Sequence, residues 1–438
     1  MDKVCIFALL LILYAMIRQT LYFFFLFLSF GLNAQTSTFD TYFEDNTLNL
    51  LCYHSGRKAL EYYSIDQTYI TKKWAGSKTN LLDNSNLGAH RIEVYAHNSN
   101  RLIYSRNYCS LFEEWQTTSE AKNTCGNFEE VLRIPLPKED ADITFFSRDS
   151  LGNWYKIVNQ KIEVKNAEFK TLNYKLYEPY KLNVSSEDIS KKLDIVIVPA
   201  GYTQRDSLKM ISDMKLFSDF FFSKPPFSDA KEKINIWGQC YFSEQTGIAG
   251  LDSKINPNSF LGVSYNTFNS PRYIMTPNLF NLHEILINVP YEQIVIMCNS
   301  ETYGGGGIFN FYATSYVNPK NGFVLIHEFG HSFAGLGDEY SENDSDVEGA
   351  TQKIEPWQKN VTSLKDFSKK WKDMIDTTTP IPTPTTLEFE DKVGVFEGAA
   401  YVTKGLYRPY QNCLMRSDVP FCPVCTREIN KMLDFYCK

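Results

Sequence analysis

Five consecutive residues, His327-Glu328-Phe329-Gly330-His331, carry the strongest chemical signal in this 438-residue sequence. On an α-helix two histidines four positions apart lie on one face, about 6 Å apart, so both imidazoles can reach one cation. Zinc suits such a pair: held by three protein ligands it keeps an open position and lowers the pKa of a water there. Glu328 projects beside the pair and is the candidate general base, taking the proton as that water attacks a carbonyl. The plain alternative is a chance H-E-x-x-H on an ordinary amphipathic helix. Two features favour chemistry: Phe323-Val324-Leu325-Ile326 supplies an apolar helix face, and the chain holds only 6 His.

A third ligand must come from further along. Asp338 follows His327 by eleven positions, and on a continuous helix it would sit about 16 Å further along the axis, out of reach. Gly335 and Gly337 stand where the helix could end and the chain reverse, because glycine tolerates the conformations a reversal needs. Asp338 is therefore the preferred third ligand, with Glu348 on a later segment as the rival and a solvated loop as the plain alternative.

The surroundings must place these groups. Leu193 to Pro199 is an apolar run of the kind buried on both faces of a sheet, and Gln204 to Phe222 follows with helical periodicity. Glu292 to Met297 reads as a second buried strand. Gly304 to Gly307 reads as a four-glycine turn between that strand and the zinc helix; Gly305 and Gly306 are candidates for letting an extended substrate backbone approach a sheet edge, with a flexible connector as the alternative. It is no phosphate loop, since no Gly-Lys-Ser or Gly-Lys-Thr follows. Residues 36–180 differ in style. Arg91 to Tyr95, Arg101 to Tyr104, Val131 to Ile134 and Ile143 to Phe146 read as strands separated by polar turns, with a short helical stretch within Glu114 to Lys122, together a β-sandwich. The polar, Pro-containing segment from Tyr177 to Ile189 marks the boundary, and Thr377 to Thr386 is a Thr/Pro-rich surface loop.

Bulk properties agree with a folded, multi-domain chain: 43% of residues are hydrophobic and 22% charged. A net charge of −7, with no dense Lys/Arg run, argues against nucleic acid as a partner. Residues 1–34 read as a signal peptide: Met16-Ile17-Arg18 opens it, Leu21 to Leu32 is its apolar run, and Ala34 precedes cleavage before Gln35. Residues 1–15 are a further apolar stretch, so the whole could be read as a membrane anchor; Met16 as the true start is the preferred reading. No later segment has the run of apolar residues a membrane span needs. Export permits disulfides, and the nine cysteines beyond the signal leave at least one thiol unpaired; Cys422-x-x-Cys425 would suggest a zinc or redox site in a cytosolic chain, but with Cys413 and Cys437 close by in an exported one structural bridges are expected.

The stretch from His327 to Tyr340, H-E-F-G-H-S-F-A-G-L-G-D-E-Y, closely resembles the active-site signature of the IgA-peptidase family of secreted bacterial metallopeptidases, family sixty-four of the metallopeptidase classification and part of the metzincin clan. Ser110 to Thr118 resembles a motif of that family's N-terminal β domain, Asp194 to Tyr202 its first catalytic strand, and Val393 to Ala399 and Asn412 to Arg416 its C-terminal part. The resemblance implies zinc bound by His327, His331 and Asp338, Glu328 as base, and Met415 in the Met-turn beneath the metal; taken alone, Met415 reads as core packing. The acidic residue comes one position later than the common metzincin spacing, which leaves Glu339 open as the ligand. No Tyr follows Met415, so Tyr407, Arg408 and Tyr410 are the candidates for an oxyanion stabiliser, Tyr410 also for substrate binding.

The expected fold is α+β in two domains, a β-sandwich over 35–180 and a metzincin-like α/β zinc-peptidase domain over 181–438. The expected function is a secreted zinc endopeptidase acting on proteins or peptides. The alternatives are a surface adhesion or glycan-binding protein with a non-catalytic zinc site, and a zinc hydrolase of other amides or esters. Glu328 argues against the first, because a structural zinc site has no use for a base. Substrate identity and oligomeric state are not legible.

Overall fold

The computed structural model describes residues 39–185, 188–250, 254–256, 258–341 and 354–437. The expected signal segment, and Glu348, lie outside them. Eight strands build the N-terminal part: β1 (Phe43–Arg57), β2 (Leu60–Lys72), β3 (His90–Ala96), β4 (Arg101–Tyr108), β5 (Gly126–Pro137), β6 (Ala141–Arg148), β7 (Trp154–Ile162) and β8 (Glu168–Phe169). They form two four-stranded sheets, ordered β5-β1-β2-β8 and β4-β3-β6-β7. Leu48, Leu50, Cys52 and Ile134 of the first sheet share one core with Ile92, Val94, Ile103 and Phe145 of the second, the two-layer packing of a sandwich.

The first sheet is buried on its other face too. Leu51, Tyr69 and Val131 alternate with the sandwich-facing residues and enter a second core with Leu279, Leu282 and Tyr291 of the C-terminal part. That explains why six consecutive residues of β1 are buried where a sheet with one wet face would alternate. Residues 39–438 thus form one compact unit.

The C-terminal part is built on a six-stranded sheet of β9 (Tyr180–Asn183), β10 (Leu193–Ala200), β11 (Ile234–Gly238), β12 (Gln293–Cys298), β13 (Gly305–Ile308) and β14 (Tyr312–Tyr316), ordered β13-β14-β12-β10-β11-β9. The four central strands are parallel, and β13 and β9 run antiparallel at the edges. All eight residues of β10 are buried, as expected of a strand covered on both faces. The short α1 (Leu111–Gln116) crosses from the sandwich; α2 (Ser207–Phe221), α3 (Leu279–Glu284), α4 (Phe323–Ala334) and α5 (Pro423–Tyr436) belong to the C-terminal part, as does the hairpin of β15 (Phe396–Ala399) and β16 (Val402–Arg408). No described helix is long and apolar enough to cross a membrane.

Two sequence expectations are corrected. The tetraglycine is no turn: Gly305 to Gly307 are strand β13, paired with β14. The reason is packing against α4. A Cβ on Gly307 would lie 2.2 Å from the carbonyl oxygen of Glu328, and one on Gly305 would lie 2.8 Å from Val324 and 3.0 Å from the Glu328 side chain. The expected disulfides are absent too, since Cys52, Cys109, Cys125, Cys240, Cys298, Cys413, Cys422, Cys425 and Cys437 are all free thiols. Cys52 and Cys298 are small apolar members of separate strands, a common use of buried cysteine.

Candidate active site

Helix α4 runs over the glycine strand with its apolar residues Val324, Leu325, Ile326, Phe329 and Phe333 buried. It stops at Gly335, which adopts φ +58° and ψ 35°, the left-handed conformation glycine takes without a Cβ penalty. Gly335 N–H donates to His331 O and Leu336 N–H to Gly330 O, satisfying the last turn. The chain then doubles back. Asn360, fully buried, clamps the reversal by accepting from Gly337 N–H and donating to Gly337 O, both at 2.8 Å.

The reversal delivers Asp338. Its Oδ1 lies 3.1 Å from His327 Nε2 and 3.3 Å from His331 Nε2, and the two Nε2 atoms are 3.1 Å apart. A tetrahedral zinc with bonds of about 2.0–2.1 Å separates its ligand atoms by about 3.3 Å, so this triangle has the size such an ion requires. The tautomers agree: His327 Nδ1 faces Leu414 O at 3.1 Å and His331 Nδ1 faces Leu336 O at 2.6 Å. With Nδ1–H donated to a carbonyl, each ring turns its Nε2 lone pair inward, the usual arrangement for a ligating histidine. Asp338 Oδ1 is buried and accepts no hydrogen bond. Three such atoms gathered in one buried spot call for positive charge among them, which a metal cation at their centre supplies. The residues fit a metal ion.

Electrostatics without the ion point the same way. Burial disfavours the imidazolium of His331, but Asp338 outweighs it and pushes its pKa up to about 9. Burial likewise works against the Asp338 carboxylate, and His331 and His327 hold its pKa far below the usual range instead. Glu328 is half-buried beside them; burial, with Asp338's charge, raises its carboxyl above the ordinary value against the opposing pull of the two imidazoles.

Met415 is fully buried, with its Sδ beneath the helix: a Cβ on Gly330 would lie 2.8 Å from it. The same turn supplies Leu414 O to His327, and Met415 O accepts from Glu339 N–H at 2.8 Å. Glu339 does not join the triangle. Its carboxylate turns away toward Asn360 Nδ2 and Cys425 Sγ.

The substrate and oxyanion candidates are placed elsewhere. Gly305 N–H donates to Arg272 O, and Gly305 O accepts from Ile274 N–H, so the strand edge at Gly305 is already paired. Gly306 is covered by Tyr273 and Met275, which a Cβ there would strike. Their glycine character serves close packing of β13. Arg408 donates to Glu397 O and Gly398 O, and among the described residues neither it, Tyr407 nor Tyr410 hydrogen-bonds to the triangle. Tyr410 sits beside Asp391.

Two residues that spacing did not single out touch the site. Tyr401 O–H donates to Asp338 Oδ2 at 2.6 Å from 63 positions away, in a backbone held at φ +68°, and Asn360 clamps the loop that carries Asp338. Local pattern offers no signal for either. A further cluster, His54, Glu61 and His90, also gathers groups that could hold an ion. Both nitrogens of His54 are already taken, by Glu130 at 2.7 Å and Glu61 at 2.6 Å, which describes an ion-pair network inside the sandwich.

Comparison with known families decides the class. The model described as IgA Peptidase M64 matches residues 182–391 and 385–433, more than half of the chain, and that described as Peptidase M64 N-terminus matches 38–158. The chain belongs to the IgA Peptidase M64 family. It is therefore a peptidase, a hydrolase acting on peptide bonds, with proteins as its substrate class. The N-terminal match covers the β-sandwich through β6 and part of β7, and the main match begins at β9. No curated protein matches the peptidase.

Proposed function

We propose that the peptidase is a zinc-dependent endopeptidase in which His327, His331 and Asp338 hold the ion and Glu328 is the general base. The observation that carries this reading is the triangle of ligand atoms 3.1–3.3 Å apart. Bound there, zinc supplies Lewis acidity toward the scissile carbonyl and toward the attacking water. Glu328, one position from His327 and raised above its ordinary pKa by burial, takes a proton from that water. The same carboxyl then returns the proton to the departing amine nitrogen, so one group serves as base and acid. Tyr401 holds Asp338 Oδ2 and leaves Oδ1 directed at the two imidazoles, while Leu414 O and Leu336 O keep both rings in the ligating tautomer.

We further propose that the chain is exported and cleaved before Gln35; the charged, apolar and small-residue order of residues 16–34 supports this. One experiment addresses both proposals. Protein released from the cells is sequenced at its N-terminus and compared, on a mixed protein library, with its Glu328→Ala variant and with a chelated sample. Expected are Gln35 as first residue, cleavage by the wild type alone, and no cleavage after chelation. Equal cleavage by both forms removes the catalytic assignment; a protein retained inside the cell removes the export reading alone.

A further inference from the structure

Three thiols and one carboxylate meet on the far side of the ligand loop. Cys413, Cys422, Cys425 and Glu339 each offer one ligand atom, all within 4.8 Å of one another, and none of the four residues is more than 2% exposed. Cys422 is the N-cap of α5, its sulfur accepting from Cys425 N–H at 3.4 Å, and Cys413 Sγ accepts from Cys422 N–H at 3.2 Å. Backbone N–H groups at a helix N-terminus favour thiolate over thiol. Cys425 Sγ lies 3.1 Å from Glu339 Oε1.

The carboxylate is the second, independent sign. Glu339 is fully buried, and its Oε2 has no hydrogen-bond partner, a costly arrangement unless a cation compensates it. A disulfide would explain the cysteines only in part. It joins two of three thiols, leaves the third and the carboxylate unaccounted for, and none is formed here. Three sulfurs and one oxygen, closed off from solvent and with C-x-x-C spacing, are a donor set that zinc takes in structural sites.

We propose that Cys413, Cys422, Cys425 and Glu339 bind a second zinc ion, structural in role. With four protein ligands the site keeps no open position, so it performs no hydrolysis. Its effect is positional. Glu339 adjoins Asp338, and Cys413 precedes Met415 by two residues, so one ion ties the ligand loop, the Met-turn and the start of α5 at a single point. Arg416, which donates to Glu339 O at 3.0 Å, adds positive charge beside an anionic donor set. The inference stands apart from the catalytic reading, since it uses none of His327, Glu328, His331 or Asp338.

Cobalt substitution tests it, because only thiolate ligation gives an intense near-ultraviolet charge-transfer band. The full chain carrying His327→Ala and His331→Ala, prepared under reducing conditions and loaded with Co²⁺, is expected to bind one equivalent and to show that band. The Cys422→Ser/Cys425→Ser variant is expected to lose the band. Wild-type protein should hold two equivalents of zinc. A His-substituted protein that binds no cobalt, or cobalt without the band, overturns the proposal, as does a disulfide within the cluster found by non-reducing mass analysis of the wild type. The His-substituted protein suffices to decide even where the cysteine variant does not fold. Wild-type protein that holds a single equivalent, with the band retained on cobalt loading, would sink the catalytic reading and leave this one standing.

Discussion

Each ligating atom of the proposed zinc site depends on a partner outside the motif. The two imidazoles lean on carbonyls from Leu414 and Leu336, and Asp338 leans on the Tyr401 phenol at 2.6 Å. Removing such an outer partner typically costs about 10–100-fold in metal affinity. Tyr401→Phe should therefore weaken zinc binding by roughly tenfold or more on that scale, read by competition with a chromogenic chelator, with the circular dichroism spectrum unchanged; unaltered affinity would show that the hydrogen bond is incidental. For single residues the sequence is legible where chemistry is local. His327 and His331 are paired by helical spacing alone, and Gly335 signals the reversal that returns Asp338. Tyr401 and Asn360 are not legible, because they arrive by tertiary folding and their residue types have no fixed offset from the motif. The cysteines mislead for a related reason: an expected export makes bridges a fair expectation, whereas the gathering of Cys413, Cys422 and Cys425 around Glu339 exists only in three dimensions.

Among the elements, the close approach of β13 to α4 governs how the site is held. Strand and helix come so near that Glu328 O would stand 2.2 Å from a methyl carbon on Gly307, and backbone cannot yield as the end of a side chain can. Overpacking of this kind typically costs about 1–3 kcal/mol. Gly307→Ala is expected to lower the midpoint of urea unfolding by a corresponding amount and to reduce zinc affinity as α4 is displaced; a midpoint equal to wild type would show that the two elements do not pack so tightly. Helix α4, the buried strands β10 and β12 and several sandwich strands are readable, because hydrophobic periodicity is a local property. The tetraglycine is not. Four glycines signal that something comes close without saying whether it is the chain's own helix or a ligand, and here Arg272, Tyr273, Ile274 and Met275 occupy the edge that a substrate would have used.

Across the whole molecule the sandwich and the peptidase part share a core, and the sandwich holds an ion-pair network at its own centre. The fold class is legible in the change of style near residue 180, but the shared core is not, since Leu51, Tyr69 and Val131 look like any half-buried strand residues until their second face is covered. His54, fully buried, makes stability depend on pH. Burial works against its imidazolium, but Glu130 and Glu61 outweigh it and push its pKa up to about 9 from 6.5. Burial works against the Glu61 carboxylate too, yet His54 and His90 bring its pKa down to about 2 from 4.5. A raised histidine pKa contributes stability that is full below about 6.5 and lost as pH climbs through about 9; a lowered carboxylate pKa contributes stability present above about 4.5 and lost as pH falls toward about 2. The thermal midpoint should therefore be highest between about pH 4.5 and 6.5 and decline on the alkaline side. His54→Gln should flatten that alkaline decline while lowering the midpoint throughout. An alkaline limb identical in the variant would assign the decline to other groups.

The zinc site itself is best put to the test by anomalous diffraction from crystals of the wild-type protein, recorded on either side of the zinc absorption edge. Expected is a peak that vanishes below the edge, bounded by His327 Nε2, His331 Nε2 and Asp338 Oδ1. Zinc-replete crystals with no peak between those three atoms would overturn the assignment.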